Sequence, residues 1–162
     1  MTIHPFLARL EQGPILGDGA MGTELYARGI LPSQCYDAVN ITDPDLVQRV
    51  HMDYLAAGAE IIETNTFGAN GAKLATYGRE GQVREINRRG GRIARYARDI
   101  AGSTAFVAGS IGPLGGTLAP LGEISADQAH AFYREQVAGL IDGGVDLFIL
   151  ETFADLNMLC IA

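Results

Sequence analysis

Cysteine is scarce in this chain of 162 residues: Cys35 and Cys160 are the only two, and they form no CxxC pair. Two isolated thiols do not make a zinc site, which takes three or four ligands. Their separation suits a reduced, cytoplasmic compartment better than a disulfide framework. Positive charge is also in short supply, with 12 Lys and Arg against 19 Asp and Glu and a net charge of −7. An acidic surface repels phosphate backbones, which argues against nucleic acid as a partner. Long apolar runs are missing, and none approaches the roughly 18–20 residues of a membrane span. The leader MTIHPFLARLEQG has no long apolar core and no small-residue cleavage site, so no secretory signal is expected.

The hydrophobic fraction is 48% and the charged fraction 19%, the balance of one globular domain or part of one. The 21 glycines form no tract. Most flank short apolar runs, where tight turns between elements fall.

Four such runs recur, at 14–17, 60–66, 105–109 and 146–150, with helical periodicity between them. The first long helix is predicted over 44–58, from Leu46, Val47, Val50, Tyr54 and Leu55, with Asp43 as N-cap, Pro44 at the first position and Gly58 at the end. A second spans about 81–100, with Val83, Ile86, Ile93 and Ala97 on its apolar face and arginines on the other. A third spans 125–143, opened by a capping box of Ser125 and Gln128, with Phe132, Val137, Leu140 and Ile141 facing inward. A fourth begins at Asp155, with Leu156, Leu159 and Ile161, and is expected to be unfinished. The order βαβαβαβα implies an α/β fold: four parallel strands covered by helices.

Strand starts near Ile15, Ile61, Phe106 and Leu147 repeat at a pitch of about 41–46 residues. GAEIIETNTF (58–67) and GVDLFILETF (144–153) align without a gap, with Asn65 opposite Glu151. Repeated βα units build a (β/α)₈ TIM barrel, and eight at this pitch need on the order of 300 residues. Residues 1–162 therefore read as a partial domain, the N-terminal half of such a barrel.

Sites in parallel α/β folds form at the C-terminal ends of the strands. There the sequence turns polar: GDGAMGTEL after the first run, Asn65-Thr66-Phe67-Gly68 after the second, Ser110-Ile111-Gly112-Pro113 after the third, and Glu151-Thr152-Phe153 after the fourth. Asp18, between Gly17 and Gly19, either points a carboxylate into a pocket or shapes the loop as an Asx-turn. Glu151 ends an apolar run and needs a cationic ligand group or a rim arginine. Asn65 and Thr66 either meet a ligand or cap the next helix. Glu63 shares a strand face with Asn65 and reads as part of an interior polar layer, its role open. His4, His51 and His130 read as surface or structural residues. Cys35 lies near the strand-1 loop, and Cys160 reads as core. GDGAMG is formally G-x-G-x-x-G, but a Rossmann fold needs its ribose-binding acid about 20 residues on, at the end of the second strand. Here that strand lies about 46 residues away, which disfavours a nucleotide-binding reading.

The segments ILGDGAMGTEL, NITDPDLVQRVHMDYLAAGAEIIETNTFGAN, VAGSIGPLGG and GGVDLFILETFADL together resemble the homocysteine S-methyltransferase family, over Ile15 to Ala162. The arrangement is most similar to bacterial proteins that fuse this domain to a methylenetetrahydrofolate reductase. The resemblance implies a (β/α)₈ barrel in which one zinc, held by three cysteine thiolates, keeps homocysteine as a thiolate that accepts a methyl group to give methionine. It implies that Asp18 and Glu151 hold the substrate amino group, with amides around Gly19 receiving its carboxylate; Asn65, Thr66, Ser110 and Thr152, from their place at the strand ends, are expected to join the substrate site. The family's zinc thiols come from a later strand and a Gly-Gly-Cys-Cys segment, to which Cys35 and Cys160 do not correspond. No metal ligand is therefore assigned within 1–162, and this chain alone is expected to be inactive. The donor is left open among methylfolate, S-adenosylmethionine, S-methylmethionine, betaine and methylcobalamin. A stand-alone half-barrel that pairs with itself or another chain, without catalysis, is the competing reading.

Overall fold

The computed structural model describes residues 4–162; the first three residues of the leader lie outside the described residues. Its centre is a parallel sheet of three strands in the order β1 (Ile61–Glu63), β2 (Phe106–Ile111) and β3 (Leu147–Leu150). The fold is thus α/β with a parallel sheet, as the alternating runs require. The four expected strands are three here. The run at 14–17 lies beside β1 but pairs only through one bridge, Gly17 to Ile61.

The reason is that side chains take the groups a ladder would use. Pro14 has no N–H to give. Its carbonyl accepts from the Arg9 guanidinium at 3.3 Å, and the Leu16 N–H donates to the Glu60 carboxylate at 3.4 Å. Arg9 and Glu60 then clamp each other at 2.7 Å. What remains are the Leu16 carbonyl, accepting from Glu60 and Ile61 N–H, and the Asp18 N–H, donating to the Ile61 carbonyl at 3.0 Å.

Several of the helices start at a side-chain cap. α1 (Pro5–Leu10), α2 (Met21–Ala27) and α3 (Val39–Thr42) are short, and α4 (Pro44–Ala56) opens on Asp43, whose carboxylate accepts from the Leu46 N–H. α5 (Gly71–Ala75) is capped by Asn70. A 3₁₀ turn, Glu80–Gln82, leads into α6 (Val83–Ile100). α7 (Ala126–Gly143) carries the full capping box of Ser125 and Gln128 and ends on Gly144 at φ 78°. α8 (Leu156–Ile161) starts at Asp155.

Ile62 and Val107 point from the sheet into one buried cluster with Ala94 of α6. The opposite face carries Glu63, Ala108, Ser110, Leu147, Ile149 and, just past β3, Glu151, by the two-residue alternation of strands. Glu63 and Leu147 both stand opposite Ala108. The repeated decapeptides instead match Glu63 with Ile149, so β3 is set two residues along relative to the repeat.

α6 crosses α7 at glycine. A Cβ on Gly139 would lie 2.8 Å from the Arg84 carbonyl oxygen, and one on Gly91 would lie 3.0 Å from the Gly143 Cα. Two inward assignments are corrected on these outer helices. Ile141 is 61% exposed, and Tyr133 and Gln136 hold the buried positions of α7 with Leu140. On α8 the inward residue is Met158, so Leu156 is 72% exposed and Cys160, expected in the core, lies in solvent. With 100° per residue, Cys160 is turned well away from Met158.

His4 and His130 are exposed, whereas His51 of α4 is fully buried, with neither ring nitrogen hydrogen-bonded. Burial lowers its pKa from 6.5 to about 4. The folded chain keeps the ring neutral while the unfolded chain protonates it below pH 6.5. Stability present above pH 6.5 is therefore lost as pH falls towards 4, on the order of 3 kcal/mol in all. Urea unfolding of wild type and His51→Leu at pH 7 and pH 5 is expected to show a smaller acid loss in the variant. Equal losses would mean that the imidazole is hydrated or paired in solution.

Candidate functional site

A cleft of about 940 Å³ opens over the C-terminal ends of the strands. All seven residues expected at the site line it: Asp18, Gly19, Asn65, Thr66, Ser110, Glu151 and Thr152.

Three carboxylates converge there. Asp18 is carried in by the bridge at Gly17, and its Oδ2 accepts the Glu63 N–H at 2.8 Å. This bond reaches across to β1, so Asp18 is not confined to a local Asx-turn. Glu63 ends β1, and Glu151 follows β3. Between them Ser110, on β2, donates its hydroxyl to Glu151 Oε1. Among the described residues no arginine pairs with Glu151, so the rim salt bridge is not formed.

Crowding at this half-buried edge shifts the titration of Asp18 and Glu63. Burial pushes the Asp18 carboxyl up to about 6, against the lowering effect of the Glu63 N–H, and the Glu151 charge adds to the rise. Glu63 is pushed up to about 7, first by burial, then by the charges of Glu151 and Asp18. Such a set lacks a cation, and an ammonium group is the ligand that would relieve it.

Asn65 and Thr66 serve the scaffold while facing the cleft. β1 stops at Glu63, so the strand alternation expected to align Asn65 with Glu63 does not extend that far. The Asn65 amide donates to the Tyr36 carbonyl at 2.8 Å and to Asn40 Oδ1 at 3.2 Å. Asn40 in turn donates to the Asn65 carbonyl at 2.7 Å. The Thr66 hydroxyl donates to the Ser110 carbonyl at 2.8 Å. The following helix is capped by Asn70 instead, whose Oδ1 accepts the Lys73 N–H.

Gly19 is held against Tyr54: a Cβ there would meet the phenol oxygen at 2.8 Å, and that hydroxyl donates to the Ala20 carbonyl. Gly19 itself lines the cleft. Thr152, directly after Glu151, sits at φ 61°, a left-handed conformation that costs a β-branched residue about 1–3 kcal/mol. That strain falls at the mouth of the cleft.

The sequence reading missed a second group on the same cleft, formed by Asp37, Phe67, Gly68 and Lys73. Asp37 accepts the Gly68 N–H at 2.9 Å, and burial pushes its carboxyl up to about 6. Lys73 Nζ lies 4.3 Å from the centre of the Phe67 ring. Only chain folding brings Asp37 to Gly68, so no local spacing announces this group. The two thiols do not join the cleft: Cys35 is buried in a core cluster, and Cys160 is exposed on α8. Among the described residues no three His, Cys, Asp or Glu are placed to hold a metal ion, so the residues present do not fit a zinc site.

Residues 15–162 match the family profile described as homocysteine S-methyltransferase. The chain is 37% identical over 159 residues to the methionine synthase of Mycobacterium tuberculosis, covering 93% of this chain and 13% of that protein. It is 36% identical to the homocysteine S-methyltransferase of Escherichia coli K12, covering 95% of this chain and 55% of that one. The crystal structure of the E. coli homocysteine methyltransferase MmuM in its metallated form superposes with a TM-score of 0.83 at 33% identity, over 97% of this chain and 60% of that one. This chain thus spans little more than half of the E. coli proteins and 13% of the M. tuberculosis one.

Proposed function

Since the chain belongs to the homocysteine S-methyltransferase family, we propose that it forms the amino-acid-binding part of an enzyme that methylates homocysteine to methionine. The observation that carries this reading is the convergence of Asp18, Glu63 and Glu151 on one cleft with no cation among them. Asp18 and Glu151 hold the homocysteine ammonium, Ser110 fixes the Glu151 carboxylate, and the Gly19 amide receives the substrate carboxylate. Asn65, Thr66 and Thr152 shape the wall against which the side chain extends.

In the reaction a bond forms between the homocysteine sulfur and the methyl carbon. The donor's bond to that carbon breaks, and its electron pair stays with the donor. The zinc proposed for the whole enzyme is held by residues other than these. This chain's task is to bind and orient the acceptor, and alone it is expected to transfer no methyl group. The whole enzyme is proposed to be a (β/α)₈ barrel of the cytoplasm, with 1–162 supplying its first half.

The pKa shifts give the test. Near neutral pH the empty cluster retains protons that an incoming ammonium displaces. Homocysteine affinity for this chain is therefore expected to fall as pH drops from 8 through 7 and 6, by up to about tenfold per unit once the cluster protonates. Calorimetry in two buffers of different ionisation enthalpy should show proton release on binding near pH 7. Binding of equal strength by 4-mercaptobutyrate, which lacks the amino group, would sink the assignment.

A further inference from the structure

Within the cleft, among the described residues, one positive charge makes no direct ion pair. Lys73 is half-buried on α5, with its ammonium over the Phe67 ring. Its stem runs between two glycines: a Cβ on Gly68 would lie 3.3 Å from it, and one on Gly115 would lie 3.1 Å away. The Phe67 ring is itself pressed on Gly112, where a Cβ would collide with it. Packing, not an ion pair, therefore aims this side chain. Among the described residues no carboxylate comes within 4.0 Å of Lys73 Nζ, and its ammonium makes no hydrogen bond. Asp37 supports the charge from farther off, with its Oδ1 accepting the Gly68 N–H. Burial lowers the Lys73 pKa against the raising effect of the Asp37 charge, the sign of a cation short of solvent.

Methyl transfer brings two molecules into one site. A cleft of about 940 Å³ lies at the upper end of the roughly 300–1,000 Å³ that suits a drug-sized ligand, which is much larger than homocysteine. The proposed function places the acceptor's ammonium at Asp18 and Glu151 and its carboxylate at Gly19, which leaves Lys73 unused. We infer that Lys73, seated on Phe67, is the subsite for the carboxylate of the methyl donor. This inference rests on the proposed function and narrows the donor to a carboxylate-bearing molecule. Betaine, S-methylmethionine, S-adenosylmethionine and methylfolates qualify. Methylcobalamin, whose side chains end in amides, does not engage this subsite.

The test titrates the ¹⁵N-labelled chain with paired ligands: betaine against choline, and S-methylmethionine against the sulfonium lacking its carboxyl group. The two acids are expected to shift the amides of Phe67, Gly68 and Lys73, and their uncharged-end counterparts are not. Lys73→Met is expected to weaken both acids about tenfold, and Lys73→Arg to retain most of the binding. Equal shifts from acid and counterpart in the wild-type chain would overturn the subsite without recourse to any variant. So would acids that leave the Lys73 region unmoved, or a Lys73→Met loss confined to homocysteine, which would give the charge to the acceptor. Homocysteine titrated in parallel separates the two readings. If it shifts Asp18 and Glu151 while the acids leave Lys73 alone, the family reading stands and the subsite falls.

Discussion

Glu151→Gln is expected to weaken homocysteine binding about ten- to a hundredfold at pH 8, and Asp18→Asn by a similar factor, the range set by losing a charge-assisted hydrogen bond. Both amides keep the size and shape of the acids and remove only the charge. Glu151 is partly exposed, which places it towards the lower end. Glu63→Gln provides the contrast. Its raised pKa means that the fold is favoured by Glu63 at low pH and loses that advantage as pH rises through about 7. At pH 8 the Glu63→Gln variant should therefore be more stable against urea than the wild type, with a smaller loss of homocysteine affinity than Glu151→Gln. Wild-type affinity in both Glu151→Gln and Asp18→Asn would refute the ammonium site.

Gly139→Val is expected to cost about 3 kcal/mol or more, at the upper end for overpacking, because the atoms it meets are the Arg84 backbone and the Asn87 Cβ, all fixed to the helix. The new Cβ would lie 2.8 Å from the Arg84 carbonyl oxygen and 3.2 Å from the Arg84 Cα, and neither can rotate away. To make room, α6 and α7 must separate, which loosens Asn87 and the Gln136 amide that holds the Thr66 carbonyl at 2.8 Å. Domain stability is about 5–15 kcal/mol, so the variant should unfold at much lower urea or fail to accumulate. Gly81→Ala supplies the control. No atom lies within 4 Å of its added Cβ, and its stability should change by less than about 0.5 kcal/mol. Wild-type stability in Gly139→Val would mean that the helices do not cross there.

Much of this was legible in the sequence where short-range chemistry decides. Asp43, Ser125 and Gln128 cap the helices predicted from them, because a cap needs only neighbours three residues away. The polar residues after each apolar run do line one cleft, since parallel strands bring their C-terminal ends together. The first run misled because a strand needs free backbone groups, and Arg9, five residues before Pro14, and Glu60, from across the fold, take them. Ile141 and Cys160 misled because hydrophobicity marks what can be buried, while Tyr133, Gln136 and Met158 occupy the buried positions. Lys73 gave no sign at all. Its setting depends on Phe67, Gly68, Gly115 and Asp37, which meet only in three dimensions.

The two-residue offset of β3 has a consequence for closure. The sequence repeat makes Glu63 equivalent to Ile149, while the ladder sets Glu63 level with Leu147 through Ala108. Equivalent positions therefore climb two residues over two strand steps, or one residue per strand. A sheet that climbs at this rate through eight strands returns to its first strand displaced by about eight residues, the shear number of a (β/α)₈ barrel. The three strands carry the first two steps of that climb.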